Sequence, residues 1–524
     1  MPDQQDTNPA TKLVASLAGQ NSARQTQYTT YRQYYDGDHG TQLTARQRKY
    51  LSVGTGQEFN VNYCPLVVDA LVERLGVTGF EVHPPPPARR TNSRAAALEA
   101  QVQAVTPTTL GTDVQRDLVW DWWTQNRMDA VQNIVHHAAV RDGDSYVVVE
   151  WDNEKHIPVF CDEPAWDGTE GVQVHYSHDK RRQIEFASKW WTLTQADGTQ
   201  VVRCNLYYPD RIEKYSRGGE AGSWTQYLDE GQKTWPIPWV DGHGQPLGVP
   251  VVHFKNRDQG YNYGQSELQD VLPVQQALNK AIIDLLAAAD TTGFRIYWML
   301  GDDPSEITIS PGTWVYSERP PTGEDGASMG YFPGEDLGAL IQFKDAFVTE
   351  IARVSRTPTS FFQVSGHRPA EGTLKQEEVG LVAKAIKCQT DFGNAWEDAM
   401  RVACVLYNAF GAQTPADQVD PLSSFVTQWK DCQTRNARDH LEALKIKREL
   451  GVPEEQLWAE MGYSAAEIAD MKAQRGQDRA EQATLGGGLL AAFESGGFAG
   501  AGPPFGRALE AGVPGGDQDQ EVEG

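Results

Sequence analysis

Cations are scarce in this chain. Its 524 residues carry 46 Lys and Arg against 71 Asp and Glu, a formal net charge of −25. Proteins that grip nucleic-acid phosphates are usually basic, at least on one face, and this chain is not basic overall. The balance fits solubility, or a surface that lies near nucleic acid without sticking to it. Cysteine is sparse too. Cys64, Cys161, Cys204, Cys388, Cys404 and Cys432 include no Cys-x-x-Cys pair and no Cys/His cluster at zinc spacing. That usage points to reduced thiols in a cytoplasmic setting. No apolar run reaches the roughly 18 residues of a membrane span, and the long apolar stripe described below contains Asp270, Lys280 and Asp284. The opening MPDQQDTNPATK lacks the apolar core of a signal peptide.

Catalytic signatures are missing as well. There is no Gly-x-x-x-x-Gly-Lys-Ser/Thr, no His-Glu-x-x-His, no Gly-x-Ser-x-Gly and no zinc finger. Carboxylates are abundant, but none sits at a defining spacing, so solvated surface is the simpler account of them. Asp36-Gly-Asp38 lacks the later ligands of a calcium loop and reads as a turn. His136 and His137 are adjacent on a helical pattern and face different sides, which disfavours a shared metal. No catalytic residue, metal site or cofactor follows from these residues.

What is present is enough apolar material for real cores, 40% hydrophobic with 15 tryptophans. Residues 1–24 read as a flexible arm. A helical region follows from about Gln25 with Tyr28, Tyr31, Tyr34 and Tyr35 at helical spacing. NYCPLVVDALVERLGVTGFEV places Pro65 in the first turn of another helix. HPPPPARRTNSR reads as an exposed linker, and Asp113–Val140 returns to helix. From RDGDSYVVVEWD the period changes to two. Strand-like pieces separated by Gly/Asp turns continue to about residue 255, a mostly antiparallel β region.

The stretch GQSELQDVLPVQQALNKAIIDLLAAAD (264–290) then becomes a long helix. Val271, Val274, Leu278, Ala281, Leu285 and Ala288 alternate steps of three and four, and Ile282 widens the face. Ser266 with Gln269 has the form of a capping box, and Pro273 marks a kink or a second start. A helix apolar over more than one side touches neighbours on more than one side. RIYWMLG and GTWVYSE read as strands, and PPTGEDGASMGYFPGED as a loop. A second amphipathic helix follows, with Phe343, Phe347 and Ile351 at helical steps. A Pro/Gly-broken segment leads to a helix of about 36 residues from Leu374, roughly 54 Å long. The Gly-rich, acidic end from about 476 reads as disordered.

The fold class is α+β, mainly helical. The order of long helix, β excursion, helix, Pro-broken loop and very long helix resembles that of tailed-bacteriophage portal proteins, the head–tail connectors of siphophage type. The resemblance is carried by NYCPLVVDALVERLGVTGF, GDSYVVVEWD, the 264–290 stretch, the break after IARVSR, and ELGVPEEQLWAEMGYSAAEIADM, across about residues 25–472. It implies a structural ring, typically of twelve copies, at one capsid vertex, through which double-stranded DNA passes without sequence specificity.

The resemblance also implies how the chain divides. Residues 25–263 correspond to a β-rich wing, 264–291 and 336–355 to two stem helices, and 292–335 to a small α/β clip. Residues 356–373 correspond to a tunnel loop, 374–412 to the long wing helix and 413–475 to a helical crown. The implied partners are the major capsid protein, the terminase motor and then a head-completion or tail adaptor protein, with no membrane. The implied location is the virion, with host cytoplasm during assembly.

On this reading His367 and Arg368 face DNA from the tunnel loop, and Lys344, Arg353 and Arg356 are further tunnel-lining cations. Val271, Val274, Leu278, Ile282, Leu285, Phe343, Phe347 and Ile351 join neighbouring stems, so Leu278→Asp or Leu285→Asp is expected to block assembly and leave a soluble subunit. The residues alone leave two other classes open: another virion scaffold of tail or baseplate, and a DNA-processing enzyme, which the absent P-loop disfavours. Neither 84–113 nor the C-terminal end receives a role.

Overall fold

A computed structural model describes residues 9–19, 22–39, 60–84, 110–177, 179, 183–196, 198–219, 222–229, 231–293, 297–300, 328–331, 337–362, 371–433, 437–461, 463, 467–468 and 470–477. Residues 1–462 belong to one compact unit and 463–524 to a second, in which residues 470–477 are helical.

The first unit opens with helices α1 (Pro9–Ala18), α2 (Ser22–Asp36) and α3 (Cys64–Val72), then strand β1 (Val77–His83), α4 (Thr112–Gln125) and α5 (Met128–Asp142). The β region follows as β2 (Asp144–Asp152), β3 (Ile157–Pro164), β4 (Gly171–Tyr176), β5 (Ile184–Thr194), β6 (Gln200–Tyr207), β7 (Arg211–Gly218), β8 (Thr225–Gln226), β9 (Ile237–Pro238) and β10 (Val251–Lys255). Two long helices, α6 (Leu272–Gly293) and α7 (Leu337–Ser355), bracket strands β11 (Tyr297–Leu300) and β12 (Ser328–Tyr331). Next come α8 (Glu371–Leu406), β13 (Ser424–Trp429), α9 (Ala437–Glu449) and α10 (Glu454–Glu460).

The period-two pattern folds as expected, into antiparallel sheets. One is three-stranded in the order β10-β2-β3; the other runs β4-β5-β6-β7-β8, with β9 also paired to β7. Val147 lies opposite Val252 and Val148 opposite Cys161.

The main core forms where α8 crosses the three-stranded sheet. Leu381, Ala385, Phe392, Trp396, Met400 and Ala403 of α8 are buried against Val147, Val149 and Phe254 of the sheet and Trp122 and Trp123 of α4. Trp396 meets Phe254 at 4.7 Å and Trp123 at 4.9 Å, both edge-on, the geometry that aromatic quadrupoles favour. His136 is sealed into this core as a neutral ring. Its Nδ1–H donates to the Leu75 carbonyl at 3.1 Å, and its Nε2 accepts the Trp396 indole N–H at 2.9 Å. Burial pushes its pKa down to about 3, so it packs as an ordinary core side chain.

Several local expectations are corrected. Pro9–Ala18, inside the expected flexible arm, is a helix whose Val14 and Leu17 bury against Trp166, Trp190 and Trp224 of the wing. Ser424–Trp429, inside the segment assigned to a helical crown, is a strand paired antiparallel with β1, more than 340 residues earlier, from Val77↔Trp429 to His83↔Ser424. β12 forms from SMGY, in the segment read as a loop, and pairs with Tyr297–Leu300; GTWVYSE lies outside the described residues. Ser266 does not cap the long helix. Its hydroxyl donates to the Arg141 carbonyl and accepts the Leu268 N–H at 3.0 Å, fixing a turn before α6 begins at Leu272. Pro273 therefore sits in the first turn of α6, where its missing N–H costs nothing.

Glycine is required at that junction. A Cβ on Gly264 would fall 2.1 Å from the Gly143 carbonyl oxygen, and Gly143 itself has φ +96. The chain entering the stem thus lies directly on the turn that starts β2.

Candidate functional site

The residues expected to join neighbouring stems divide into two sets. Val271, Leu278 and Ile351 are fully buried in the main core of their own subunit. They root the two long helices in that core. Leu278→Asp would therefore put a carboxylate into that core and unfold the subunit, contrary to the sequence expectation. Val274, Ile282, Leu285 and Phe347 are half-buried. Phe343 is 55% exposed, although its ring packs edge-on to Phe347 at 4.7 Å.

Ile341, which sequence reasoning did not single out, is 46% exposed on the same helix, and Val354 is 37% exposed. α6 and α7 pack on each other, so one side of α7 is already occupied. Among the described residues, Ile341, Phe343 and Val354 keep apolar side chains exposed on α7.

The cations fall out unevenly. Lys344 Nζ lies 2.9 Å from the carboxylate of Asp345, and Arg353 Nη1 lies 3.1 Å from that of Glu350. Arg356 is exposed just beyond the end of α7, at φ +55. His367 and Arg368 lie outside the described residues.

Sequence reasoning missed a polar knot that fastens α2 to β2 and β10. The Asp144 carboxylate, fully buried, accepts hydrogen bonds from Arg24 Nη2 (2.6 Å), the Tyr28 hydroxyl (2.6 Å), His253 Nε2 (2.8 Å) and the Gly264 N–H (2.7 Å). Burial alone would raise its pKa, but the bonds from His253, Arg24 and Tyr28 outweigh that and hold it at about 2. His253 is neutral: burial lowers its pKa, its Nε2–H donates to Asp144, and its Nδ1 accepts the Tyr176 hydroxyl at 2.7 Å. One helix turn further along, Arg32 bonds Asp142 at 2.9 Å and Asp167 at 2.6 Å. The signal was in the sequence: Arg24, Tyr28 and Arg32 are spaced i, i+4, i+8, one face of a helix, and Asp142-Gly-Asp144 supplies two carboxylates across from it.

Among the described residues no group of His, Cys, Asp and Glu could hold a metal ion, and no helix is long and apolar enough to cross a membrane. Two long helices anchored in the main core, with apolar side chains left exposed on α7, fit a structural subunit that assembles with other chains. The family model for phage portal proteins of the SPP1 Gp6-like type matches residues 16–481, and the chain belongs to that family. It is 26% identical over 454 residues to the portal protein of Mycobacterium phage D29, and 25% identical over 454 residues to that of Mycobacterium phage L5. Each match covers 82% of this chain and 81% of the relative. The protein is a structural portal subunit, a virion component and not an enzyme.

Proposed function

We propose that twelve copies close into a ring whose stem helices surround a channel for double-stranded DNA, and that this ring docks in turn with the major capsid protein, the terminase motor and a head-completion or tail adaptor. The carrying observation is the surplus apolar surface of α7 at Ile341 and Phe343. A contact of this kind, repeated head to tail through a rotation that closes, makes a ring. In this reading Ile282, Leu285 and Phe347 complete the contact, and the ring forms in host cytoplasm before it enters the virion.

The charge balance supports a conduit rather than a binding protein. A wall that neutralised 6–10 phosphates would gain orders of magnitude in DNA affinity at low salt and would stall transport. An acidic wall repels DNA, though screening confines this to about 8 Å at physiological salt. Lys344 and Arg353 are each neutralised by a carboxylate of their own helix, which suits a wall that lets DNA slide. His367 and Arg368 are the proposed DNA-facing residues of the tunnel loop. Replacing both with Ser is expected to leave rings of normal size and to change the amount of DNA packaged. Failure of those variants to assemble, seen by native mass, would assign the loop a structural role instead.

A further inference from the structure

Where the segment before α6, the end of α7 and the side of α8 meet there is a cleft of about 360 Å³. Its charged lining is Arg257, Arg356, Lys384 and Lys387 against Glu267, Asp270 and Asp391. In a chain of net charge −25, a pocket with more cations than carboxylates runs against the background. Part of that charge is internally matched. Arg257 Nη1 lies 3.2 Å from Asp270, and Lys384 bonds the buried Glu267 carboxylate while donating to the Ser355 carbonyl at 2.7 Å. Arg356 and Lys387, both exposed to the cleft, form no ion pair among the described residues.

Arg356 is also held in a conformation that usually belongs to glycine. It follows the last turn of α7 at φ +55, with the Thr357 N–H bonded back to the Ala352 carbonyl at 3.0 Å, the closing bond of a left-handed helix cap. Keeping a long side chain there costs on the order of 1 kcal/mol. The opposing helix accommodates it: a Cβ on Gly380 would stand 3.3 Å from Arg356 Cβ, so a glycine at 380 lets the arginine turn sit close against α8. The backbone therefore bears a strained arginine, seated by a glycine, at the mouth of a cation-rich cleft.

We infer that this cleft is an oxyanion site of the phosphate class, in which Arg356 and Lys387 bind the anion while Arg257 and Lys384, held by their own carboxylates, shape the pocket. A planar guanidinium suits bidentate contact with two phosphate oxygens, and the lysine adds a point charge. The site is complete within one subunit, so it stands or falls independently of ring closure. An anion bound there would tie the segment leading into α6 and the end of α7 to α8.

The test compares wild type with Arg356→Gly in thermal melts, with inorganic phosphate replacing chloride at equal ionic strength. Glycine is at ease at φ +55, so the variant should keep its Tm in chloride. Wild type should show a concentration-dependent rise in Tm of a few degrees in phosphate, Arg356→Gly should lose that rise, and Lys387→Gln should reduce it. General salting stabilisation by phosphate acts on all three chains alike. An equal rise in wild type and Arg356→Gly, or no rise in wild type, overturns the site. A parallel arm supplies a short DNA duplex at the same phosphate concentration. Stabilisation by duplex that Arg356→Gly abolishes identifies the oxyanion as nucleic-acid backbone; a response to inorganic phosphate alone identifies a free anion. Both of these outcomes uphold the site.

Discussion

Phe343→Asp should convert an assembled ring into folded single subunits. The side chain is 55% exposed in the isolated subunit, so its loss leaves the main core filled and gives up the edge-on contact with Phe347, about 0.5–1.5 kcal/mol. In the ring the same position forgoes burial of a phenylalanine, worth about 1.5–3 kcal/mol, and adds the cost of desolvating an unpaired carboxylate. Every junction suffers this loss, because every subunit carries the change. Native mass and circular dichroism should report folded single chains with wild-type helix content and only a small drop in Tm. Leu278→Asp should behave in the opposite way: that residue is fully buried, so the chain should fail to fold before assembly is in question. Rings of normal size from Phe343→Asp would show that Phe343 is not at a subunit contact.

Asp144→Asn should weaken the subunit by about 3–5 kcal/mol, the usual cost of breaking a buried charge network from one side. The asparagine amide cannot accept from Arg24, Tyr28, His253 and the Gly264 N–H together, and Arg24 loses its counter-charge. The pH dependence has a defined sign. The carboxylate has an ordinary pKa of 3.8 in the unfolded chain and about 2 in the folded one, so its contribution is fully present above 3.8 and is lost as pH falls toward 2. The gap in urea stability between wild type and variant should be widest near neutrality and should narrow over that window. His136 adds a separate acid sensitivity to both chains. With a folded pKa of about 3 against 6.5, it favours the folded state above 6.5 and progressively less as pH falls toward 3. A stability gap under 1 kcal/mol at pH 7 would mean that α2 is held by its apolar side chains and not by the polar knot.

Local pattern made much of this fold legible. The apolar stripe of 271–288 and the period-two run from 144 to 255 each follow from nearest-neighbour geometry, and both form as expected. What escaped was non-local. SFVTQW becomes a strand because β1 lies beside it, and nothing within those six residues names that partner. α1 is ordered by Trp166, Trp190 and Trp224, far along the chain. The stem stripe was read correctly as apolar, but periodicity cannot separate side chains that anchor a helix in its own wing, such as Leu278 and Ile351, from those that face outward, such as Phe343. Burial makes that distinction, and it leaves Phe343 of α7 among the exposed side chains. The Asp144 knot was overlooked because Arg24, Arg32 and the two aspartates, taken singly, look like solvated charges; only the i, i+4, i+8 spacing of Arg24, Tyr28 and Arg32 marks them as one face.

Imaging the purified full-length chain by electron cryo-microscopy, viewed down any symmetry axis, tests the central claim most directly. The account predicts closed rings with α6 and α7 around a central hole, and with Ile341 and Phe343 covered by the adjacent subunit. Lone particles without a pore, with Phe343 facing solvent, would contradict it.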